Sequence, residues 1–387
     1  MNIIPIANKN RCVSCGGCSF ICPQNAIRMQ YNKSEGLYKP VVDQTLCVNC
    51  GLCVKKCPSQ DEISDKILGD HSRILLAQAS DIEVRRMATS GGVINAMLRY
   101  CFENKLIDIA LVVKHDDNEI EAVAHIITGD SYFDLQSNAR EYSSRYVSVP
   151  ILAKLNEIEL TGKRLAIVGT PCQIRAARKI FINSISNIFF IGVTCSSGMR
   201  YTATEEYKRI SNAKDSHMYY RGNGWPGTNI LISDKINIEN SHSGSLFERM
   251  FSSQVFKNPA CRECHDHFAE KADISLCDFW DAKELAEERI GHSCVIIRNS
   301  KAESIFSSAV KDNCISIYRE LNDDEVINSQ RQIINVKKEL IKKKSTIKLF
   351  YKLIDVIFRL RIYKLFRYRI YNKLSTYYYK LSLLCKN

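Results

Sequence analysis

The stretch CVSCGGCSFICP at residues 12–23 and the similar stretch CVNCGLCVKKCP at residues 47–58 determine how the first part of this chain folds. In each stretch three cysteines are separated by two residues, and a fourth cysteine stands before a proline. Thiolates at this spacing bind [4Fe-4S] clusters, and where two such stretches occur the fourth cysteine of each binds the cluster of the other. The sequence therefore predicts two [4Fe-4S] clusters.

The crossover divides the eight cysteines into two groups. The first cluster is assigned to Cys12, Cys15, Cys18 and Cys57, and the second to Cys47, Cys50, Cys53 and Cys22. A zinc site would use pairs rather than triplets of cysteines, and disulfides belong to oxidising compartments, so both alternatives fit less well. We predict a ferredoxin-like α+β module with two clusters over residues 1–66, which carries single electrons.

Composition and charge limit the location and the partners. With 17 cysteines and no apolar leader in residues 1–10, a reducing compartment is favoured, and the cytoplasm is expected. The net charge of +12 comes from the C-terminal end, because residues 337–387 carry 15 Lys or Arg and 2 Asp or Glu. The rest of the chain is close to neutral, which argues against nucleic-acid binding.

The basic end has the pattern of an amphipathic helix. On a helix the apolar residues of one stripe are Leu349, Leu353, Val356, Ile357 and Leu360. The polar stripe contains Lys348, Lys352, Asp355 and Arg359. We predict a basic helical tail over residues 336–387 that contacts an anionic membrane surface, on the inner face of the cytoplasmic membrane. Docking on the body or on a partner protein is the alternative.

Between the module and the tail the sequence alternates between strand and helix patterns. Strands are predicted at residues 109–114, 121–128, 163–168 and 187–194, and a helix is predicted to begin at Pro171. This alternation favours a mixed α/β domain with several parallel strands. We place this domain at residues 72–335.

Two turns of this domain are candidates for ligand binding. Residues 90–92, Ser-Gly-Gly, precede an apolar-periodic helix, where backbone N–H groups can bind phosphate, although a plain helix cap also explains the pattern. Residues 169–173, Gly-Thr-Pro-Cys-Gln, lie at a strand-to-helix turn, where open α/β sheets place their ligands.

Four more cysteines lie at strand ends or in loops. They are Cys172, Cys195, Cys261 and Cys264. Four thiols are the number that a third [4Fe-4S] cluster needs. Two alternatives remain open for Cys261 and Cys264: attachment of a c-type haem with His265, or a zinc site with His265 or His267.

The order of motifs in the chain resembles a known family, that of the coenzyme F420 hydrogenase/dehydrogenase β subunits. The shared motifs are SGGVINAMLRY (90–100), SSRYV (143–147), GTPCQIRAARK (169–179), GVTCSSG (192–198), NGW (223–225) and CRECHDHFAEKADISLCDFW (261–280). The resemblance covers roughly residues 72–320. It is far more specific than any one of the motifs.

The resemblance implies an FAD beside an additional cluster. The family's flavin-binding positions fall on Ser90, Gly91, Gly92, Ser144, Arg145, Tyr146, Gly169, Thr170, Pro171 and Gln173. The additional [4Fe-4S] cluster would be bound by Cys172, Cys195, Cys261 and Cys264. Cys277 stands where relatives usually have a small residue, so it could replace one of these ligands.

The module and the resemblance together predict an iron–sulfur flavoprotein oxidoreductase. FAD exchanges two electrons with an organic substrate, and the clusters pass them singly to a ferredoxin or another redox protein. Relatives that occur with polysaccharide-assembly genes point to a glycan precursor as the substrate. Two alternatives stay open: an input subunit of a larger complex that oxidises or reduces the deazaflavin coenzyme F420, and an electron-transfer subunit without catalysis. No catalytic residue is assigned.

Overall fold

A computed structural model describes residues 1–61, 66–116, 122–335, 337 and 344–383 of the chain, without the side chains of residues 344–348, 382 and 383. The N-terminal module consists of α1 (Ile4–Asn8), α2 (Gly17–Phe20), β1 (Ile27–Asn32), β2 (Leu37–Val42) and α3 (Leu52–Lys55). Strands β1 and β2 form an antiparallel hairpin. Each cysteine triplet runs into a one-turn helix, α2 or α3, so that the turns around the thiols are short.

The module packs directly on the rest of the chain. Leu152 donates its backbone N–H to the carbonyl oxygen of Cys15 over 3.0 Å, and the rings of Phe20 and Phe181 lie 5.6 Å apart. Gly16 has φ = +83°, and a Cβ atom there would lie 2.6 Å from the backbone nitrogen of Ala153. Only glycine allows both this conformation and this approach.

The strands of the body are β3 (Arg73–Ala79), β4 (Ile109–Lys114), β5 (Val123–Thr128), β6 (Leu165–Gly169), β7 (Ile188–Val193), β8 (His217–Tyr219), β9 (Thr228–Ser233), β10 (Ile236–Ser241), β11 (Ile274–Asp278), β12 (Ser293–Ile297) and β13 (Ile315–Glu320). Its helices are α4 (Ile82–Met87), α5 (Val93–Glu103), α6 (Asp134–Ser137), α7 (Pro171–Ile180), α8 (Thr202–Ile210), α9 (Leu246–Ser252), α10 (Ala282–Glu287), α11 (Ser300–Lys311), α12 (Asp323–Ser329) and α13 (Arg331–Ile334). Two more helices follow, α14 (Lys344–Arg359) and α15 (Tyr368–Leu383).

Eight strands form one mixed sheet in the order β13-β3-β12-β11-β7-β6-β4-β5. Strands β11, β7, β6 and β4 are parallel neighbours, and the outer pairs are antiparallel. Strands β8, β9 and β10 form a smaller antiparallel sheet. The predicted mixed α/β class is therefore confirmed, and β4 has the predicted bounds. Residue 121, the first residue of another predicted strand, lies outside the described residues.

The parallel centre of the sheet brings two predicted turns to one edge. Strand β6 ends at Gly169, one residue after the predicted end, and α7 begins at Pro171, as predicted. Strand β7 ends at Val193, two residues before Cys195. Since β6 and β7 are parallel neighbours, Cys172 and Cys195 follow the carboxyl ends of adjacent strands, where α/β sheets bind their ligands.

Helices α14 and α15 pack on the body. Phe350, Ile354 and Tyr371 are buried and belong to the same hydrophobic core as residues of β4, β6 and β7. Arg262 donates two hydrogen bonds of 2.9 Å to the carboxylate of Asp355, which fixes the rotation of α14. In the described residues, the tail helices are thus docked on the body. The predicted tail boundary at residue 336 lies outside them, as does the side chain of Lys348.

The apolar stripe predicted for the tail is not the face that packs on the body. Leu349, Leu353, Val356 and Leu360 are 48% to 69% exposed, and of the predicted set only Ile357 is buried. The residues that pack are those of the neighbouring face: Phe350, Ile354, Ile357 and Phe358. Helix α14 is apolar on two sides, and the side with two phenylalanines buries more apolar area. In the described part of the chain, no helix is both long and apolar enough to cross a membrane.

The docking of α14 predicts different costs for two adjacent substitutions. Ile354→Ala removes a fully buried side chain and should destabilise the protein by about 2–5 kcal/mol. Leu353→Ala removes a side chain that is 52% exposed and should change stability by less than ~0.5 kcal/mol. Thermal or urea unfolding of anaerobically purified protein measures both. Equal losses for the two variants would contradict the observed docking face.

Candidate redox site

Electrostatic contacts between cysteines of the two stretches are consistent with the predicted crossover. Burial raises the pKa of Cys12 to about 11, and Cys57 of the second stretch adds to the shift. In the other group, burial raises the pKa of Cys53. Cys50 of the same stretch and Cys22 of the first stretch raise it further. Each proline-linked cysteine is therefore an electrostatic neighbour of the opposite triplet, which is the arrangement that two clusters need.

Four distant cysteines line a small cavity of about 150 Å³ between the module and the body. These residues, the four-cysteine site, are Cys172, Cys195, Cys261 and Cys264. Burial raises the pKa of Cys172 to about 12, and Cys264 and Cys261 raise it further. Thiols that influence one another in this way, from three separate segments of the chain, form one site.

Polar groups lie within hydrogen-bond range of three of the four sulfur atoms, and for two of these sulfurs the group is an N–H donor. The hydroxyl oxygen of Thr170 lies 3.4 Å from Cys172 Sγ, and the backbone N–H of Gly198 donates to Cys261 Sγ over 3.3 Å. The ammonium group of Lys337 is 3.8 Å from Cys264 Sγ. Cluster sulfurs accept such bonds, and these bonds tune the cluster. The donor set therefore fits a bound [4Fe-4S] cluster.

The alternatives for these cysteines receive less support. His267, a possible zinc ligand, has both ring nitrogens engaged, Nδ1 with the Cys195 carbonyl at 3.1 Å and Nε2 with Gln330 Oε1 at 3.2 Å. Among the described residues, no three His, Cys, Asp or Glu side chains converge closely enough to hold a single metal ion. Cys277 faces Cys294 on the neighbouring strand and lines a different cavity, so it does not belong to the four-cysteine site.

A larger cavity of about 1010 Å³ adjoins the four-cysteine site. Six of the ten predicted flavin positions line it: Ser90, Gly92, Ser144, Arg145, Tyr146 and Thr170. Pro171 and Gln173 line the smaller cavity instead. Gln173 donates to the Val149 carbonyl and accepts from the Thr170 N–H, both over 2.8 Å, so it holds the turn in shape.

Gly91 and Gly169 line neither cavity, and their role in flavin binding stays a prediction. A Cβ atom on Gly91 would lie 2.5 Å from the backbone nitrogen of Ser293, so the missing side chain lets the start of α5 approach the sheet. Gly169 is the last residue of β6, and a Cβ atom there would lie 3.1 Å from that of Gln173. Both glycines serve packing.

The larger cavity is electropositive. Its cations are Arg145, Arg221, Arg249, Lys257 and Arg331, and its acids are Glu248 and Asp278. Arg221 and Asp278 form a buried ion pair at 2.6 Å. Burial lowers the pKa of Arg145 to about 10, so its guanidinium stays charged at neutral pH. A cavity with this excess of cations selects a ligand that carries negative charge.

Five polar atoms in the wall of the larger cavity have no hydrogen-bond partner in the described part of the chain. They are Nε of Arg145, Nη2 of Arg221, Nδ1 of His242, Nε of Arg249 and Oε1 of Gln254. Burial and the nearby Arg221 lower the pKa of His242 to about 3, so its ring is neutral. Because buried polar groups are nearly always paired, these atoms indicate that a polar ligand completes the site.

The three sites adjoin one another in a row. Six residues line both cavities: Arg145, Tyr146, Thr170, Cys195, Ser196 and Ser197. On the other side, Arg11, Val13, Pro58, Ser59 and Asp61 of the module line the smaller cavity. Cys172 is also close enough to contribute to the raised pKa of Cys15, which burial dominates. The module, the four-cysteine site and the larger cavity therefore form a continuous path.

Several site residues were missed by the sequence analysis. Arg221, His242 and Lys257 line the larger cavity, and so do Ser375, Thr376, Tyr378 and Tyr379 of α15. They come from segments far apart in the chain, and no local spacing marks them. The tail contributes to the wall of the site, a role that its basic composition did not indicate.

Comparison with known families gives three matches. Residues 74–156 match the N-terminal model and residues 162–321 the C-terminal model described as coenzyme F420 hydrogenase/dehydrogenase, beta subunit. Residues 11–60 match a 4Fe-4S dicluster domain. The resemblance predicted from the motifs is confirmed, and the dicluster match supports iron–sulfur clusters in the module.

Three relatives and one solved structure are informative. An uncharacterised protein of Methanocaldococcus jannaschii is 27% identical, covering 87% of this chain and 96% of its own. The F420-dependent formate dehydrogenase subunit beta of the same organism is 24% identical over 70% of this chain and 68% of its own. The coenzyme F420 hydrogenase subunit beta of Methanococcus voltae is 25% identical over 63% of this chain and 82% of its own. A chain of the F420-reducing [NiFe] hydrogenase complex of Methanosarcina barkeri has the same fold, with a TM-score of 0.55, 20% identity and coverage of 74% of this chain and 96% of its own.

The four-cysteine site predicts a specific loss of iron. Cys172→Ser and Cys261→Ser should each lower the iron content of anaerobically purified protein by about four atoms per chain, because a cubane needs its thiolate ligands. Cys277→Ser, which changes a buried cysteine outside the site, should keep the full content. Unchanged iron in the first two variants would contradict the assignment.

Proposed function

Because the chain belongs to the coenzyme F420 hydrogenase/dehydrogenase β-subunit family, we propose that it is an iron–sulfur redox subunit that exchanges electrons between the deazaflavin F420 and a partner protein. The observation that carries this proposal is the shared wall between the larger cavity and the four-cysteine site, which in turn borders the dicluster module. An organic ligand that carries two electrons and clusters that carry one electron each must lie next to one another to exchange electrons.

We further propose that the larger cavity binds FAD as the converter between the two kinds of carrier. A bound flavin takes up electrons in pairs and releases them singly. The six predicted flavin positions that line the cavity support this proposal. So does Gly92, which has φ = +74° and caps the N-terminus of the eleven-residue helix α5, a position where backbone N–H groups can bind phosphate.

The residues of the cavity suit both an anionic group and a planar ring. Arg145 and Lys257 supply positive charge for phosphate or carboxylate groups. Tyr146, Phe247, Phe251 and Trp280 supply aromatic faces on which a ring system can stack. His242, neutral between Tyr146 and Trp280, can hydrogen-bond to a ligand without adding charge.

The comparisons favour the deazaflavin over the glycan precursor as the organic ligand. Two of the relatives described above are named for F420-dependent formate dehydrogenase and coenzyme F420 hydrogenase, and a third relative is named coenzyme F420-dependent sulfite reductase. These names give no support to the predicted link with polysaccharide assembly. An electron-transfer role without catalysis is the competing outcome of the test below.

Reduced F420 tests the function directly. Mixed anaerobically with the protein, it should bleach the flavin absorbance and then that of the clusters. Arg145→Gln should weaken flavin retention by about tenfold or more, because it removes the positive charge and the unpaired Nε donor, and thus a charge-assisted bond worth ~1.5–3 kcal/mol. Arg140→Gln, which changes a partly exposed arginine bonded to Asn223, should retain flavin. A protein that purifies with iron but no flavin, and that reduced F420 does not bleach, would indicate electron transfer alone.

We also propose that the outer face of α14 contacts an anionic membrane surface. Leu349, Leu353, Val356, Leu360 and Leu365 remain exposed on this face and in the turn after it. The exposed charged residues around them are all basic: Lys352, Arg359, Arg361 and Lys364. The nearby acid, Asp355, is engaged by Arg262. Exposed leucines among cations are the pattern of helices that lie on anionic lipid.

Sedimentation with vesicles of anionic phospholipid measures this contact. The double variant Leu353→Asp, Leu360→Asp should bind at least tenfold more weakly than the unchanged chain, because it places charge on the apolar stripe. Ile182→Asp, which changes an apolar residue that is 61% exposed on the body, should bind normally. Equal binding by both variants would refute the membrane role.

A further inference from the structure

The ammonium group of Lys337 lies buried beside the four-cysteine site. Lys337 is 4% exposed and lines the smaller cavity together with all four cysteines. We infer that Lys337 is a positioning residue that raises the reduction potential of the cluster bound by Cys172, Cys195, Cys261 and Cys264. This inference rests on the proposed third cluster and assigns a role to a residue outside the matched family regions, which end at residue 321.

The contacts of Lys337 hold its charge at the sulfur atoms. Its Nζ donates to the carbonyl oxygen of Asp266 over 2.6 Å and lies 3.8 Å from Cys264 Sγ. The chain between Cys264 and Asp266 is also folded back on itself, since Cys264 Sγ is 3.5 Å from the same carbonyl oxygen. A single backbone carbonyl thus anchors the ammonium group next to the cluster ligand.

The sign of the effect follows from electrostatics. Adding an electron to a cluster increases its negative charge, so a cation in contact stabilises the reduced state more than the oxidised state. Burial strengthens this interaction, because little solvent screens it. Charge and hydrogen bonds at the sulfur atoms are known to set cluster potentials. Lys337 supplies both to Cys264.

The module clusters lack a comparable contact among the described residues. The donors to module sulfurs are neutral: the Ser14 N–H, 3.4 Å from Cys12 Sγ, and the Asn2 amide, 3.9 Å from Cys47 Sγ. Two lysines are near module cysteines, but each is paired with an acid: Lys39 near Cys12 with Glu35 at 2.7 Å, and Lys179, which donates to the Cys57 carbonyl over 3.2 Å, with Asp61 at 2.5 Å. The third cluster should therefore have a higher reduction potential than the module clusters. An electron that passes between the larger cavity and the module would then reside on the third cluster.

Redox titration of the anaerobic full-length protein, followed by electron paramagnetic resonance, tests this role. Lys337→Gln should move the midpoint of the third cluster to a more negative potential and leave the module clusters unchanged. Lys337→Arg keeps the charge and should restore the wild-type midpoint. The matched control is Lys301→Gln, because Lys301 also donates to backbone carbonyls, at 2.9 Å and 3.0 Å. These carbonyls lie at the start of β7, whereas Cys195 follows the other end of that strand.

Each outcome decides a separate point. A fully iron-loaded Lys337→Gln variant with an unchanged midpoint would overturn the role of Lys337. If that variant loses iron, Lys337→Arg decides, since an iron-loaded arginine variant with a more negative midpoint would overturn it as well. Wild-type protein with only the iron of two clusters would instead refute the third cluster, on which the inference rests.

Discussion

The close approach of Gly16 to the segment around residue 153 is the contact on which the rest of the site depends. Without a side chain at Gly16, the backbone of the first cysteine stretch reaches that segment, and the hydrogen bond from Leu152 to Cys15 closes the interface. This contact brings the module against the turn that carries Cys172. A larger residue at position 16 would move the module away from this turn and would interrupt the proposed electron path.

Charge organises the site as strongly as packing does. The larger cavity has five cations and two acids, and Lys337 adds a cation at the four-cysteine site. Phosphate groups, deazaflavin carboxylates and thiolate-bound clusters are all anionic, so the same positive environment suits each of them. The neutral His242 gives the larger cavity a polar contact that does not change this balance.

Local spacing allowed the sequence to predict the cluster cysteines and the strand-to-helix turn at Pro171, because those features depend on neighbours in the chain. The walls of the larger cavity could not be predicted in the same way. Arg221, His242 and Lys257 meet residues more than fifty positions away, and only the folded sheet brings them together. The docking face of the tail could not be predicted for a different reason: α14 has two apolar sides, and periodicity alone does not reveal which side the body covers.

The most direct test of the central claim is the joint measurement of iron, sulfide and flavin in anaerobically purified protein. A path through two module clusters, a third cluster and a flavin predicts about 12 irons, with equal sulfide and one flavin per chain. About 8 irons without flavin would leave only the module clusters and would contradict the proposed path into the body.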